Sequence, residues 1–387
     1  MHTMTPAAIV TDASERVGLH VIRALGRQQV PVRAVELEGR AQQVMGFSSC
    51  YTMHSCLVPH WQRGEEAWLA GMLGVGERGD VLLPSCLNAT VRVLKHKEQL
   101  AAKYVMLLPS HHSLTVANDK WQLHEICQEL GIAMPRTWHP TADELAQVAN
   151  EVSYPVVVKF RHDEDLYGHA DKRYQIASDA QELIAYWKQF DAVQERPVIQ
   201  DYIEGSGFGF EALYDAEGHL KAGFCHRRLM EYPITGGPSA VCESVKVPEI
   251  EKIGQQVLER LSWRGVAMVE FKRCARTGKF YLLEINPRFW GSLPLSEAAG
   301  VNFPHLLYKA TLGETFPMPD YRVGVRMRLL PTYLLSLASS FRASPLAVRE
   351  WLPKLGYLLD PRICEGLFAL DDLKPAFAYL RTRMQES

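Results

Sequence analysis

The sequence lacks an excess of charge of either sign. Its 387 residues include 42 Lys and Arg against 44 Asp and Glu, which gives a formal net charge of -2. A nucleic-acid-binding surface usually needs clustered basic residues, so this balance argues against a nucleic-acid partner. Local basic pockets remain compatible with it, because an anionic small ligand needs only a few converging cations.

Long apolar runs and paired cysteines are also missing. The apolar stretch 329–338 is too short to span a bilayer and contains Pro331. Residues 1–18 contain neither a basic leader nor an uninterrupted apolar segment. The eight cysteines form no C-x-x-C pair. These absences predict a cytoplasmic protein with reduced thiols, no membrane partner and no zinc site.

A dinucleotide-binding fingerprint is the third missing feature. Short apolar runs alternate with helical periodicity over the first part of the chain, at 7–10, 17–25, 30–35, 81–84 and 104–108. This alternation is typical of a parallel sheet covered by helices. The turn at 11–18 lacks the first two glycines that let a backbone approach a pyrophosphate. We therefore expect a Rossmann-like domain that does not bind a dinucleotide.

What the sequence does contain is a group of hard oxygen ligands on two neighbouring strands. Glu284 and Asn286 are two residues apart in an apolar run, so they project from the same face of a strand. Glu270 lies on the preceding strand. Two carboxylates and an amide oxygen suit Mg2+, with Mn2+ as an alternative. Arg288 would lie beside this metal and meet transferring phosphoryl oxygens.

The alternative for this strand pair is a hairpin whose outer face carries solvated carboxylates. Exposed acidic side chains are common on strands, so either strand alone favours that alternative. It explains less well why Asn286 and Pro287 interrupt the end of an apolar strand.

Two lysines are candidates for binding nucleotide phosphates. Lys159 ends the apolar run 156–158, where a single ammonium is well placed to meet the α- and β-phosphates. The alternative is a strand-end lysine whose head reaches water. Lys120 opens a predicted helix after Asn118 and Asp119, and a solvated first-turn lysine is the simpler interpretation without further context.

Two further segments have the residue types of a ligand site. The run Gln200, Asp201, Tyr202 and Ile203 could offer backbone groups to an adenine edge, with Glu204 accepting from ribose hydroxyls; the glycines that follow equally fit a flexible turn. Arg228, in the cluster 226–228, fits recognition of a substrate carboxylate or stabilisation of an acyl phosphate, although a basic strand end explains it as well.

In this order, the segments resemble the ATP-grasp superfamily, specifically its carbamoyl-phosphate-synthetase-like carboxylate–amine ligases. Residues 118–120 resemble the first nucleotide lysine, 154–159 the second lysine strand, 200–203 the adenine hinge, and 284–288 the E-x-N-x-R metal motif. Glu270 matches the earlier metal carboxylate. The sequence departs from the family pattern in two places. The loop 161–168 has one glycine, where many relatives have several. Gly207 and Gly209 stand where many ligases place a ribose-binding glutamate. Lys172 or Arg173 would assist at that loop, and Glu204 would substitute for the missing glutamate.

The resemblance implies a mixed α/β and α+β architecture with an ATP-grasp fold. A Rossmann-like pre-ATP-grasp domain (1–115) would precede the nucleotide-binding domain (116–312), and a mainly helical extension (313–387) would follow. The extension would either cap the nucleotide-binding domain or contact a second copy in a homodimer. It also implies ATP and Mg2+ as cofactors, and a carboxylate and an amine joined through an acyl phosphate. The alternatives are phosphorylation of bicarbonate or another acceptor, and an ATP-binding regulator without turnover.

Overall fold

The structure is a computed structural model that describes residues 5–39, 44–164, 173–234, 236–343 and 348–386. The strands are β1 (Ala8–Val10), β2 (Val32–Leu37), β3 (Thr52–Val58), β4 (Val81–Leu83), β5 (Thr137–Trp138), β6 (Val156–Lys159), β7 (Tyr174–Ala177), β8 (Val198–Asp201), β9 (Gly205–Tyr214), β10 (Leu220–Glu231), β11 (Ser239–Val245), β12 (Gly265–Cys274), β13 (Phe280–Asn286), β14 (Arg326–Arg328) and β15 (Cys364–Glu365).

The helices are α1 (Arg16–Gly26), α2 (Glu65–Val75), α3 (Leu87–Lys95), α4 (Lys97–Ala101), α5 (His111–Asn118), α6 (Lys120–Glu129), α7 (Leu145–Glu151), α8 (Ala180–Asp191), α9 (Pro248–Arg260), α10 (Leu293–Ala299), α11 (Phe303–Thr311), α12 (Leu330–Ala343), α13 (Val348–Leu359) and α14 (Lys374–Glu386). Within the described residues, none of these helices is long and apolar enough to cross a membrane.

The N-terminal segment folds around a four-stranded sheet in the order β3-β2-β1-β4, in which all pairs are parallel. Strands β1 and β4 are buried throughout because side chains pack on both of their faces. The predicted Rossmann-like sheet is thereby confirmed. The apolar run 104–108 contributes only a single bridge, between Val105 and Val81, so the prediction of a full strand there is wrong.

A second four-stranded sheet, in the order β5-β8-β6-β7, is antiparallel at every pairing. Val156 and Val158 point into a core that includes Trp187 on α8. Since side chains alternate along a strand, Val157 and Lys159 face the other way. Gln200 pairs directly with Val157, which puts Gln200 and Lys159 on the same face of this sheet.

The third sheet has the order β13-β12-β9-β10-β11-β14-β15. One face packs on a core containing α9, with Phe210 and Val269 among its members. The other face shares a core with the N-terminal sheet, through residues such as Phe224 and Met268. This second face also carries the polar residues of the candidate site, farther along the same strands.

Three details of this sheet differ from the sequence predictions. The glycine segment 205–209 is the start of β9 and not a flexible turn. The cluster 226–228 lies inside β10 and not at a strand end. After residue 313 the chain is mainly helical as expected, but β14 pairs with β11 and β15 pairs with β14. The C-terminal segment therefore completes the central sheet, and the domain bounds stay a prediction.

A buried ion pair attaches the C-terminal segment to the N-terminal domain. Arg23 on α1 donates from Nε to Asp372 Oδ2 at 3.0 Å and from Nη1 to the Leu367 carbonyl at 2.9 Å. The side chains of Arg23 and Asp372 are 3% and 1% exposed. Removing one partner of such a pair leaves an uncompensated buried charge, which is strongly destabilising.

We expect Arg23→Met to lower the free energy of unfolding by about 3–5 kcal/mol, measured by chemical denaturation. Lys246→Met is the matched control, because Lys246 pairs with Asp320 at 2.7 Å but both side chains are largely exposed. Its expected cost is about 0–1 kcal/mol. Similar losses in the two variants would contradict a special role for the buried pair.

Candidate active site

The candidate site is built on rows of side chains that cross the central sheet. Glu270 on β12 is the direct cross-strand partner of Glu284 on β13, and Gly209 on β9 follows Glu270 in the same row. His226 on β10 is the next member of that row. Directly opposed residues project from the same face, so the register brings the two predicted metal carboxylates side by side.

Asn286 links these two carboxylates. Its Nδ2 donates to Glu270 Oε1 at 3.1 Å and to Glu284 Oε1 at 3.3 Å. Its Oδ1 accepts from Arg288 Nη2 at 2.8 Å. The sequence spacing therefore predicted a real cluster, in which two carboxylate oxygens converge on one point and Arg288 lies beside them.

Arg228 reaches the same cluster from β10. Its Nη2 donates to Glu270 Oε2 at 2.6 Å, and its Nη1 donates to the Gly237 carbonyl at 3.2 Å. Gly207 provides the space, since a Cβ there would lie 2.8 Å from Arg228 Cδ and 2.7 Å from Glu231 Oε1. A Cβ on Gly209 would lie 2.5 Å from His226 Cε1. The two glycines let these side chains lie across the sheet.

Contacts of Asp119 and Arg161 at the start of α6 bring Lys120 close to the end of the strand that carries Lys159. Asp119, which is fully buried, caps this helix by accepting from the Trp121 and Gln122 amides. The same carboxylate accepts from Arg161 Nε at 2.9 Å. The Lys120 amide donates to the Arg161 carbonyl at 3.1 Å. The first-turn lysine is thereby tied to the exit of β6, two residues beyond Lys159.

Asp163 in the loop after β6 binds one of these lysines. Lys120 Nζ donates to Asp163 Oδ1 at 2.9 Å, and the Lys120 side chain is only 5% exposed. Burial alone would lower the pKa of Lys120, but the charges of Asp163 and Glu284 hold it above its ordinary value. A carboxylate thus contacts the ammonium that the sequence assigns to a nucleotide phosphate.

The two central carboxylates have opposite electrostatic surroundings. Burial, reinforced by the charges of Glu270 and Asp163, raises the pKa of Glu284. Burial acts in the same direction on Glu270, but Arg228 holds the pKa of that carboxyl below its usual range. Glu284 is therefore the member of the pair whose negative charge is less well compensated by protein groups.

Lys159 is the cation best placed to interact with Glu284 without a fixed bond. Burial lowers the pKa of Lys159, and the Glu284 charge opposes that shift. Among the described residues, no hydrogen-bond partner is found for Lys159 Nζ within 3.5 Å. Its ammonium is therefore available to an anionic ligand in the cleft.

The predicted adenine hinge has part of its hydrogen bonding already satisfied. Gln200 is buried and donates to Thr137 Oγ1 at 3.1 Å. Asp201 receives a salt bridge from Arg136 at 2.8 Å and does not point into the cleft as a free carboxylate. The Tyr202 amide donates to the Pro155 carbonyl at 3.3 Å, and the Glu204 carbonyl accepts from Ala275 at 2.9 Å. Ile203 lies between these anchored residues, and adenine binding by 200–204 stays a prediction.

Known proteins match both the sequence and this arrangement. The family described as ATP-grasp in the biosynthetic pathway with Ter operon matches residues 199–332. The carbamoyl phosphate synthase large chain of Gemmatimonas aurantiaca is 27% identical over 277 residues, covering 68% of this chain and 24% of that protein. This chain therefore corresponds to about a quarter of the length of that relative.

Solved structures share the fold at low sequence identity. Biotin carboxylase from Campylobacter jejuni, in a complex with β,γ-ATP, has a TM-score of 0.66 at 13% identity, covering 84% of this chain and 75% of that one. L-amino acid ligase from Bacillus licheniformis has a TM-score of 0.58 at 17% identity, covering 80% of this chain and 75% of that one.

Together, the family match, the relatives and the structural neighbours support an ATP-grasp superfamily assignment for this chain. The predicted fold is thereby confirmed and the predicted superfamily is supported, whereas ATP-dependent ligase activity, the reaction and the substrates of this chain stay predictions. ATP-grasp proteins generally use ATP with Mg2+. The residues present fit both ligands: two carboxylates and an amide offer hard oxygen ligands, and Lys120 on α6 and Lys159 on β6 offer cations for the anionic end of a nucleotide.

The ATP-grasp site contains one buried pair that the sequence interpretation missed. Glu211 on β9 is fully buried and its Oε1 lies 2.5 Å from His226 Nδ1. Among the described residues, Glu211 Oε2 and His226 Nε2 have no hydrogen-bond partner. A carboxylate within the apolar run 210–213 was the available signal, because a buried acid requires a partner.

Some residues near the candidate site have positions or contacts that the sequence did not predict. Arg227, the neighbour of Arg228, projects from the opposite face and binds Glu243 at 2.7 Å, so the two arginines do not act as a pair. Lys172 lies outside the described residues, whereas Arg173 is described just before β7. Asp163 was noted only as a member of a glycine-poor loop, and its contact with Lys120 was not predicted.

We expect Gly207→Ala to displace Arg228 and Glu231 and to weaken MgATP binding about tenfold, measured by isothermal titration calorimetry. The reason is the 2.7–2.8 Å approach of the added Cβ to both side chains. Gly74→Ala is the control, since no atom lies within 4 Å of a Cβ at that position in α2. Equal affinity in Gly207→Ala would contradict the requirement for space at this glycine.

The paired carboxylates should affect stability with opposite signs. The pKa of Glu284 is raised, so the folded protein holds this proton more tightly than the unfolded chain does, and stability is lost as pH rises through the folded pKa. Glu284→Gln should therefore raise the melting temperature of the ligand-free protein at neutral pH. Glu270→Gln should lower the melting temperature, because Arg228 loses its carboxylate partner. The expected loss in the free energy of unfolding is about 1–3 kcal/mol.

Thermal melting without divalent cations measures this difference, and repeating it with MgATP provides an internal control. Both variants should lose most of the stabilisation that ligand binding adds to the wild type. A melting temperature that falls equally in both variants without ligand would contradict the charge assignment.

Proposed function

We propose that this protein is an ATP-dependent ligase that activates a carboxylate as an acyl phosphate and joins it to an amine, with release of ADP and phosphate. The observation that carries the proposal is the convergence of two groups on one cleft. Lys120 and Lys159 come from α6 and the four-stranded sheet, while Glu270, Glu284 and Asn286 come from the central sheet. Cations for phosphates thereby face ligands for a metal.

Each residue has a role that follows from its position. Lys120 and Lys159 bind nucleotide phosphates, and Lys120 exchanges Asp163 for a phosphate oxygen when it does so. Gln200 to Ile203, with Glu204, bind the adenosine portion. Glu270, Glu284 and Asn286 would hold Mg2+, which would neutralise phosphate charge when bound.

The proposed chemistry has two steps. A carboxylate oxygen of the substrate attacks the γ-phosphorus, the bond from that phosphorus to the bridging oxygen breaks, and ADP leaves. The amine nitrogen then attacks the carbonyl carbon of the acyl phosphate, the carbon–oxygen bond to phosphate breaks, and the amine loses a proton. Arg288 and Arg228 stabilise charge on the transferring group, because both guanidinium groups lie against the metal-ligand cluster.

The matched relatives support this class of reaction. One is named a carbamoyl phosphate synthase and another an L-amino acid ligase. The similarity in fold to biotin carboxylase favours a second candidate, phosphorylation of bicarbonate. These two candidates differ in the acceptor that triggers ATP consumption, which makes them separable by experiment.

The test measures nucleotide products from the purified protein with MgATP across a matrix of amino acids, small carboxylates, amines and bicarbonate. We expect ADP and phosphate only when a particular carboxylate and amine are both present. Glu284→Gln and Lys159→Ala should each reduce turnover by at least about 100-fold, because each removes a charge that balances the triphosphate or its metal.

Lys252→Ala is the control, since Lys252 is an exposed residue of α9 on the opposite face of the sheet. AMP and pyrophosphate would mean adenylation and would overturn the acyl-phosphate step. ADP formation with bicarbonate alone would select the second candidate. Undiminished turnover in both Glu284→Gln and Lys159→Ala would remove the basis of the proposal.

A further inference from the structure

A cavity of about 360 Å3 adjoins the candidate site and shares Gly207 and Arg228 with it. Its walls come from the start of β9, the end of β10 and the two helices α12 and α13. This volume lies within the usual range for a small-molecule site. We call it the extension cavity, because Ser340, Trp351 and Lys354 of the C-terminal extension form one wall.

One end of the extension cavity is Arg228, whose Nη2 is 2.6 Å from Glu270. Beside it, Glu231 Oε1 is 3.6 Å from Arg228 Nη1, and the Glu231 side chain is 15% exposed. A group bound at this end would therefore lie next to the proposed acyl phosphate. The largely buried carboxylate of Glu231 is suited to accept hydrogen bonds from an ammonium group.

The helical wall of the extension cavity contributes a cation. Lys354 Nζ donates to Ser340 Oγ at 3.2 Å. Among the described residues, no carboxylate lies within 4.0 Å of this ammonium. An ammonium has three donors, so Lys354 retains the capacity to bind an anionic group of a ligand.

This wall is held in place by specific contacts between the helices and β10. Ser336 Oγ on α12 donates to the Glu231 carbonyl at 2.7 Å. Tyr333 Oη, also on α12, donates to the Lys354 carbonyl at 2.9 Å, and the Tyr333 side chain is fully buried. The positions of Glu231 and Lys354 are therefore fixed through α12, as a preorganised site requires.

Two opposite charges in the lining of the extension cavity indicate its ligand. Glu231 supplies a carboxylate from β10 beside Arg228, and Lys354 supplies an ammonium from α13. A ligand that satisfies both has a positive group toward Glu231 and a negative group toward Lys354. We propose that the extension cavity binds the amine substrate, that this substrate is an amino acid, and that its ammonium contacts Glu231 while its carboxylate contacts Lys354.

This inference rests on the proposed ligase function for the role of the amino acid, but not for its binding. The orientation places the attacking nitrogen at the Arg228 end. It keeps the second carboxylate of the reaction away from Glu270 and Glu284, whose negative charges would repel it. A simple amine without a carboxylate would leave Lys354 without its anionic partner and would bind less tightly.

The test compares amino acids with their decarboxylated amines as the second substrate. Lys354→Met removes the charge and keeps a similar chain length. We expect the ratio of kcat/KM for an amino acid to kcat/KM for its decarboxylated amine to fall about 10- to 100-fold in this variant. Lys354→Arg should recover much of that ratio, and Lys252→Met, an exposed lysine change on α9, should leave it at the wild-type value.

Calorimetric titration of the wild type and Lys354→Met with the twenty common amino acids, without nucleotide, separates this inference from the proposed function. Binding that depends on Lys354 without any ATP turnover would retain the cavity assignment and overturn the ligase. Turnover with amines whose selectivity ratio does not change in Lys354→Met would overturn the cavity assignment and retain the ligase. Equal weakening for amino acids and amines would also overturn it, because that result requires no carboxylate contact.

Discussion

The close approach of Glu270 and Glu284 is the constraint on which the rest of the site depends. Two carboxylates that share one buried cluster repel each other, and the repulsion is stronger in a low-dielectric cleft than in water. The fold offsets it with groups from different elements: Arg228 binds Glu270, and the Asn286 amide bridges both acids. Glu284 retains the larger uncompensated charge, which makes a divalent cation a favourable addition to the cluster.

The cations around this pair are held in place by a second set of contacts. Asp119 fixes Arg161 and the start of α6, and this brings Lys120 to the exit of the strand that carries Lys159. Asp163 then contacts Lys120 where the sequence assigns a phosphate. In the proposed function, nucleotide binding would exchange the ion pair between Lys120 and Asp163 for a pair with phosphate.

The parts of the site that the sequence predicted are those governed by local geometry. Glu284 and Asn286 lie two residues apart on one strand, so their shared orientation follows from strand periodicity alone. The helix beginning at Lys120 follows from its cap, and Asp119 is the residue that supplies it. The run 104–108 shows the limit of this reasoning, because apolar composition alone does not decide whether a segment finds a pairing partner along its length.

The parts that the sequence did not predict depend on register and on long-range contacts. Glu211 meets His226 because β9 and β10 pair in one register, and a shift by one residue would turn one of the two side chains to the opposite face. Arg228 separates from Arg227 for the same reason. Asp163 and Lys120 are 43 residues apart, and no local pattern connects them.

Different segments of the chain contribute to the carboxylate cluster and to the wall of the extension cavity. The family match covers residues 199–332, which include β9 to β14 and with them Glu270, Glu284 and Asn286. Most of α12 and all of α13 lie beyond it, yet these helices supply the wall that carries Ser340, Trp351 and Lys354. In the proposed function, a site for MgATP is combined with a substrate-binding wall from a separate segment, and the two are joined through the contacts of Ser336 and Tyr333. Under the proposed function, changes at Ser340, Trp351 or Lys354 would alter which amine is accepted while the opposed carboxylates stay in place, because these three residues lie on α12 and α13 and the carboxylates lie on β12 and β13.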